Sequence, residues 1–166
     1  NTRSGVPVDS VGCMKNPIYI DSNGITIRSR DWGEVGEKGD INGVSFTIVN
    51  ETTLRSMIDN DEDVTVVVTT KITNMNKLFY RKAFNQKIGH WDVSNVTDMS
   101  WMFKSNREFN QEIGDWDVSK VTNTSEMFGS TNFNKSISKW NVSSVTNMTK
   151  MFYRSKFNQL IGNWNV

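Results

Sequence analysis

The sequence is short of the residues on which covalent and metal chemistry usually depend. It contains one cysteine, Cys13, and a single histidine among 166 residues. A single cysteine cannot form an internal disulfide bond, and it has no second thiol with which to hold a metal ion. The polar residues before Cys13 lack the apolar core of a signal peptide, so we do not interpret them as a lipoprotein leader. We therefore expect no metal and no cofactor.

Catalytic patterns, excess charge and long apolar runs are lacking too. No Ser-His-Asp or Cys-His set can be assembled, and we predict that the protein is not an enzyme. The 19 lysines and arginines nearly balance the 18 acidic residues, which leaves a formal net charge of +1. Nucleic-acid and anionic-membrane surfaces need a clustered basic excess, and no apolar run approaches the roughly 18 residues of a membrane span. We therefore predict no nucleic-acid partner and no insertion into a membrane.

What the sequence does contain is a repeated segment. Residues 84–96, FNQKIGHWDVSNV, return as FNQEIGDWDVSKV from Phe109 and as FNKSISKWNVSSV from Phe133, and a shorter copy starts at Phe157. The leading phenylalanines are 25, 24 and 24 residues apart. A fixed period of about 20–29 residues indicates stacked repeats, each forming one coil. The tryptophans keep the same spacing, at Trp91, Trp116, Trp140 and Trp164.

Each repeat combines a segment with strand spacing and a segment with helical spacing. Trp91 and Val93 are two residues apart, which points their side chains to the same face of a strand. Met99, Met102 and Phe103 lie at i, i+3 and i+4, which predicts a short helix. We therefore predict an α/β repeat solenoid of leucine-rich-repeat-like, right-handed coils of 24–25 residues. In this interpretation a parallel β-sheet forms one face and short helices form the other.

Two repeated residue types are expected to form structural ladders. The four tryptophans are predicted to face the core, because Trp91 shares its parity with Val93. Asp92 and Asp117 have the opposite parity and are expected on the solvated outer face. The asparagine at a fixed turn position of each coil is expected to form hydrogen bonds with backbone groups of its own and adjoining coils. This position is occupied by Asn85, Asn110, Asn134 and Asn158.

The chain divides into three predicted parts. Residues 1–17 are polar, contain both prolines and are interpreted as an N-terminal arm. Residues 18–63 are predicted to form a small α+β cap at the N-terminal end of the array. Residues 64–166 are assigned to the repeats, in about four coils of which the last is incomplete.

Local signals predict the elements of the cap and the start of the repeats. An Asn-Gly pair at 23–24 between two β-type runs is typical of a hairpin. Residues 44–48 alternate and predict a strand. Asn50 offers a side-chain cap for a short helix over residues 51–60, and the β-branched run at 64–69 predicts another strand.

The repeat consensus FNQxIGxWDVSxVTxMxxMF closely resembles the BspA-like leucine-rich repeats of bacterial surface proteins, also described as the DUF285 or PARCEL repeat. The resemblance covers roughly residues 64–166. Residues 23–58 are similar to the leader that precedes these repeats in surface proteins of marine Bacteroidetes. The resemblance implies a parallel solenoid exported to the cell surface, with a role in adhesion or ligand binding, and it supplies no catalytic motif.

Columns that vary from coil to coil are the better candidates for ligand binding, because packing does not dictate their side chains. Trp101 stands where other coils carry a charged residue, and an exposed tryptophan is a typical binding anchor. Packing of its ring against a neighbouring coil is the alternative. The candidates are Trp101, Glu126 and Lys150 in one column, His90, Asp115 and Lys139 in a second, and Lys120 in a third.

The predicted function is that of a non-enzymatic extracellular surface protein, or a fragment of one, that acts in adhesion. It is expected to bind a protein or glycan on another surface through its repeats. One alternative is a structural subunit that self-associates through the N-terminal arm and the open C-terminal coil into a filament or larger particle. Another is a carbohydrate-binding module of a larger secreted protein.

Overall fold

Five short strands and one helix form the regular structure of residues 5–166. The computed structural model describes residues 5–166, so the first four residues of the predicted arm lie outside the described residues. In chain order the elements are β1 (Ile18–Ile20), β2 (Ile27–Ser29), β3 (Lys38–Ile41), β4 (Val44–Ile48), α1 (Glu51–Asp59) and β5 (Val67–Val68).

The predicted fold class is wrong. Within residues 5–166 the strands belong to two small sheets, β1–β2 and β3–β4–β5, and α1 is the one helix. The repeats contain neither a continuous parallel sheet on one face nor short helices on the other. Turns dominate them, and isolated parallel bridges join Asn74 to Asp98, Asp98 to Asn123, and Asn123 to Asn147.

The short helix predicted from Met99 to Phe103 is replaced by a chain of turns. Trp101 and Ser105 both have a φ of 60°, which a right-handed helix does not allow. The backbone N–H groups of Met99, Trp101 and Phe103 donate to carbonyl oxygens of the next repeat, at 2.9–3.0 Å. The intervening N–H of Met102 instead donates three residues back, to Met99. Alternate backbone N–H groups of this segment therefore donate to the next repeat instead of within a helix.

Several of the local predictions ahead of the repeats are confirmed. The Asn-Gly hairpin is present, and β1 and β2 pair antiparallel. β4 has its predicted bounds, and α1 ends one residue early at Asp59. Asn50 caps α1 by accepting a hydrogen bond from the N–H of Thr53 at 2.9 Å. The strand predicted over residues 64–69 is reduced to β5, which pairs parallel with β4.

β3 was not predicted, because its surroundings are rich in glycine. It pairs antiparallel with β4, from Lys38 opposite Thr47 to Ile41 opposite Val44. Gly39 is required there, because an added Cβ would lie 2.5 Å from Cγ1 of Ile18. The close contact lets β1 pack directly against β3.

The apolar side chains form two cores. The smaller core lies between the two sheets and includes Ile18, Phe46 and Ile48. The larger core begins under α1 with Leu54 and Ile58 and continues through all the repeats. The chain therefore buries one extended apolar interior along the array and one compact cluster beside it. The boundaries at residues 17 and 63 stay predictions.

Two columns of phenylalanine rings run through the larger core. In the first, neighbouring ring centroids are 5.3, 5.7 and 5.9 Å apart and the rings are nearly parallel. In the second the separations are 6.2, 5.8 and 6.1 Å. Each repeat adds one ring to both columns, so every repeat is packed by its neighbours. The columns are Phe79, Phe103, Phe128 and Phe152, and Phe84, Phe109, Phe133 and Phe157.

The repeats approach each other closely at their glycines. A Cβ added at Gly89 would lie 2.6 Å from the carbonyl oxygen of Glu112 in the next repeat. At Gly114 the corresponding distance to the carbonyl oxygen of Ser136 is 2.7 Å. Glycine at these positions therefore allows backbone-to-backbone contact between repeats.

Candidate functional site

The repeated tryptophans and asparagines connect one repeat to the next. Trp91, Trp116 and Trp140 are buried, and Trp164 is half-buried. Each indole N–H donates to a backbone carbonyl 27 or 28 residues earlier, at 3.0–3.2 Å. The side-chain oxygens of the asparagine column accept from the N–H of the next asparagine, at 2.8–3.0 Å. Those asparagines are Asn85, Asn110, Asn134 and Asn158.

Asp92 departs from the expectation of a solvated outer face. Its side chain is only 2% exposed, because the β1–β2 hairpin covers the first full repeat. Its Oδ2 accepts a hydrogen bond from Nε of Arg28 at 3.1 Å, and its Oδ1 accepts from the hydroxyl of Ser94 at 2.6 Å. Asp117, at the same position of the next repeat, is exposed as expected. The difference arises because the hairpin covers one repeat only.

His90 also lies at the junction between the hairpin and the repeats. Its ring packs edge-on against Phe46 with the centroids 5.8 Å apart, and its carbonyl accepts from the N–H of Ile27 at 2.9 Å. The ring atom Nε2 is buried and has no hydrogen-bond partner among the described residues. Burial lowers the pKa of His90, against a smaller opposing effect of a hydrogen bond with the Val67 backbone. The predicted surface role of His90 has no support in this placement.

We expect the stability of the protein to fall as the pH is lowered through 6.5. The unfolded chain takes up a proton on its histidine near that pH, whereas the folded chain resists protonation because the pKa of His90 is lowered. The stabilising contribution is fully present above the unfolded pKa and is lost toward the folded pKa. Urea unfolding at pH 7.5 and pH 5.0 measures the difference. His90→Asn should reduce it, since the chain has no other histidine, and an unchanged difference would contradict the assignment.

The remaining candidates in the His90 column and the Lys120 column form exposed polar pairs. Lys139 Nζ lies 3.1 Å from Oδ1 of Asp115 in the preceding repeat. Lys120 Nζ donates to Oδ1 of Asn95 at 2.9 Å. Exposed pairs of this kind contribute little to stability, so they are free to be exchanged for contacts with a ligand.

The Trp101 column is different, because its side chains converge. Lys104 Nζ lies 3.7 Å and Lys77 Nζ lies 5.0 Å from the centroid of the Trp101 ring. Tyr80 contacts the same ring edge-on, with centroids 5.6 Å apart. Lys104 also forms an ion pair with Glu126. Trp101 is half-buried, so its ring is held on the surface by cations and an aromatic neighbour from two repeats.

A second group, also of cations over an aromatic ring, lies two repeats beyond Trp101. Lys150 Nζ lies 5.6 Å and Arg154 Cζ lies 5.2 Å from the centroid of the exposed Tyr153 ring. The backbone N–H of Glu126 donates to the carbonyl of Thr149 at 2.9 Å, so Glu126, the partner of Lys104, lies on the repeat next to this second group. We call the whole surface the basic aromatic strip. It consists of Lys77, Tyr80, Arg81, Trp101, Lys104, Glu126, Lys150, Tyr153 and Arg154.

Sequence reasoning found only Trp101, Glu126 and Lys150 of this strip. Lys77 occupies the Trp101 column itself, and the other missed members stand three or four residues after that column. The signal was present as aromatic or basic residues at these offsets, for example Tyr80-Arg81 and Tyr153-Arg154.

The last repeat presents an open apolar depression. Its volume is about 500 Å³, and Met148, Phe152, Ile161 and Trp164 contribute to its lining. Within residues 5–166, no group of three or more histidine, cysteine, aspartate or glutamate side chains is arranged to hold a metal ion. In the same range no helix is long and apolar enough to cross a membrane.

The geometry defines a class of repeat protein in which buried ladders repeat and outer columns vary. The chain belongs to the DUF285 family, whose family model is described as "Mycoplasma protein of unknown function, DUF285" and matches residues 49–164. The matched range therefore includes α1 as well as the repeats. No curated protein and no solved structure matches the chain.

Proposed function

We propose that the chain is a non-enzymatic extracellular protein that acts in adhesion. In this proposal the outer columns of the repeats bind a protein or glycan on another surface. We further propose that the repeats are of the BspA-like kind, and that residues 23–58 correspond to the leader found before such repeats in bacterial surface proteins. The family match assigns residues 49–164 to DUF285 and leaves the activity open.

The observation that carries the proposal is the separation between constant and variable positions. The tryptophan, phenylalanine and asparagine positions recur in each full repeat. Their side chains are committed to packing in the core or to hydrogen bonds with the backbone. The Trp101 column changes from lysine to tryptophan, glutamate and lysine, and these side chains lie at the surface. A surface that packing does not constrain, centred on a half-buried tryptophan, suits recognition of a partner.

Replacing Trp101 by alanine is expected to weaken partner binding by at least about tenfold. The ring supplies apolar area and also positions two lysine ammonium groups, so its removal costs about 1.4 kcal/mol or more of binding free energy, which corresponds to a tenfold loss. Binding to an array of immobilised glycans and extracellular-matrix proteins measures the loss.

Tyr19→Ala is the matched control for this experiment. Tyr19 also lies under a cation, with Arg30 Cζ 5.0 Å from its ring centroid, but it belongs to β1 and not to the repeats. Its replacement should leave partner binding unchanged. Retention of every bound partner by Trp101→Ala, or the absence of any bound partner for the unmodified chain, would overturn the proposed function.

A further inference from the structure

The aromatic rings of the basic aromatic strip are covered by cations. Trp101 has two lysine ammonium groups over its ring, at 3.7 and 5.0 Å from the centroid. The guanidinium carbon of Arg81 lies 5.0 Å from the Tyr80 centroid, and Tyr153 lies under a lysine and an arginine. Cations over aromatic rings are held by the ring quadrupole. The rings therefore orient a row of positive charges.

This row concentrates the positive charge of the molecule. The strip holds five basic side chains and one acidic side chain, Glu126, which gives it a net charge of +4. The whole chain has a net charge of +1, so the remaining residues carry −3. The charge balance of the complete sequence therefore conceals a strongly basic surface.

We propose that the basic aromatic strip binds a linear polysaccharide that carries carboxylate groups, that is, a polyuronate laid along the stacking direction of the repeats. The inference rests on the proposed function, since it names the ligand class for the same surface. We count the repeats from the incomplete one that starts near residue 64. Basic side chains then occur in the first repeat (Lys77, Arg81), the second (Lys104) and the fourth (Lys150, Arg154).

The spacing of these charges suits one carboxylate per sugar. Strands and chain segments in neighbouring repeats are separated by about 4.8 Å, which is close to the length of one sugar in an extended polysaccharide. The row spans three such steps, roughly 15 Å. The arginine guanidinium groups at its two ends offer planar pairs of donors that match a carboxylate. Glu126, in the third repeat, pairs with Lys104 and interrupts the row once.

The same features disfavour nucleic acid. Single-stranded nucleic acids gain affinity by stacking their bases on free aromatic faces, whereas here every ring already has at least one cation over it. Double-stranded DNA presents one charge per roughly 1.7 Å of its axis, a density that at most two cations per repeat do not match. An extended acidic peptide places successive side chains on opposite faces, so carboxylates on one face recur only about every 6.7 Å, which does not match the separation of the repeats. A polyuronate presents them singly and in sequence.

The test uses immobilised polygalacturonate as the probe and the full chain in biolayer interferometry. Lys77→Glu combined with Lys150→Glu brings the strip from a net charge of +4 to 0, and both side chains are exposed. The double variant should bind at least about tenfold more weakly than the unmodified chain. Raising the salt from about 50 to 200 mM should weaken the unmodified chain by a similar factor, because counterions are released on binding.

The matched control is Lys71→Glu combined with Lys87→Glu. These lysines are equally exposed and their reversal changes the total charge by the same amount, but they lie outside the strip. The control should bind within about twofold of the unmodified chain. Circular dichroism melting curves verify that both double variants fold. A control as weak as the strip variant would overturn the proposal, because net charge alone would then explain the binding.

Competing polyanions complete the experiment. Heparin supplies sulfate in place of carboxylate, poly-L-glutamate supplies carboxylates on a peptide, and a single-stranded oligonucleotide supplies phosphate. Tighter binding of any of the three at equal charge concentration, or no binding of polygalacturonate, would overturn the assignment to polyuronates. If a protein or neutral glycan still binds in a Trp101-dependent manner, this inference fails and the proposed function stands. If nothing binds, both fail.

Discussion

Replacing Phe103 by alanine is expected to lower the free energy of unfolding by about 3–5 kcal/mol. The Phe103 ring is fully buried and lies between the rings of Phe79 and Phe128, at 5.3 and 5.7 Å, with Phe109 at 3.9 Å. Its removal opens a cavity inside the stack that neighbouring repeats cannot close, because their backbones are tied together by hydrogen bonds. For a chain of this length the melting temperature should fall by roughly 6–20 °C.

Phe152→Ala provides the matched control at the end of the same column. Phe152 is only partly buried, and it contacts Phe128 on one side without a further phenylalanine of the column beyond it. Its replacement should cost about 1–2 kcal/mol, since less apolar area returns to water. Urea unfolding followed by circular dichroism measures both variants. Equal losses at the two positions would contradict the idea that stability comes from stacking on both faces of a ring.

The elements that the sequence predicts well are those with local causes. α1 is predicted by the N-cap residue Asn50 and by the apolar spacing of Leu54 and Ile58. All three signals lie within the helix or directly before it. The β1–β2 hairpin follows from its Asn-Gly turn. The repeat period follows from the recurring phenylalanines and tryptophans. Each of these signals needs no knowledge of distant partners.

The failures have non-local causes. Met99, Met102 and Phe103 have helical spacing, but the same spacing fits turns in which alternate N–H groups donate to the next repeat. The backbone then takes a φ of 60° at Trp101, which costs roughly 1–2 kcal/mol without a compensating contact. Inter-repeat hydrogen bonds offset that cost, and they are invisible in a single repeat. The predicted α/β solenoid therefore failed at the level of secondary structure.

In the candidate site, too, some residues can be identified from local sequence signals and others depend on distant contacts. Trp101 could be selected from the sequence because it breaks the pattern of its column. Lys77, Lys104 and Tyr80 could not be placed around it, since their positions depend on the turn conformation. The burial of Asp92 was missed because the hairpin that covers it lies more than 60 residues earlier in the chain.

Replacing Arg28 by glutamine is expected to lower the free energy of unfolding by about 2–4 kcal/mol. Arg28 donates to the buried Asp92 carboxylate at 3.1 Å and to Ser94 Oγ at 3.1 Å. Its loss leaves a carboxylate that is 2% exposed with Ser94 as its remaining side-chain partner, and an unpaired buried charge costs about 3–5 kcal/mol. We place the expectation somewhat lower because the arginine side chain is 30% exposed and the pair is partly screened.

A double-variant cycle in urea unfolding isolates the cause of that loss. Asp92→Asn combined with Arg28→Gln removes both charges, and a neutral pair in the same place should recover part of the lost stability. Asp117→Asn, at the exposed equivalent position, should change stability by no more than about 0.5 kcal/mol. A double variant as unstable as Arg28→Gln alone would show that lost packing of the arginine side chain, and not the buried charge, holds the hairpin against the first full repeat.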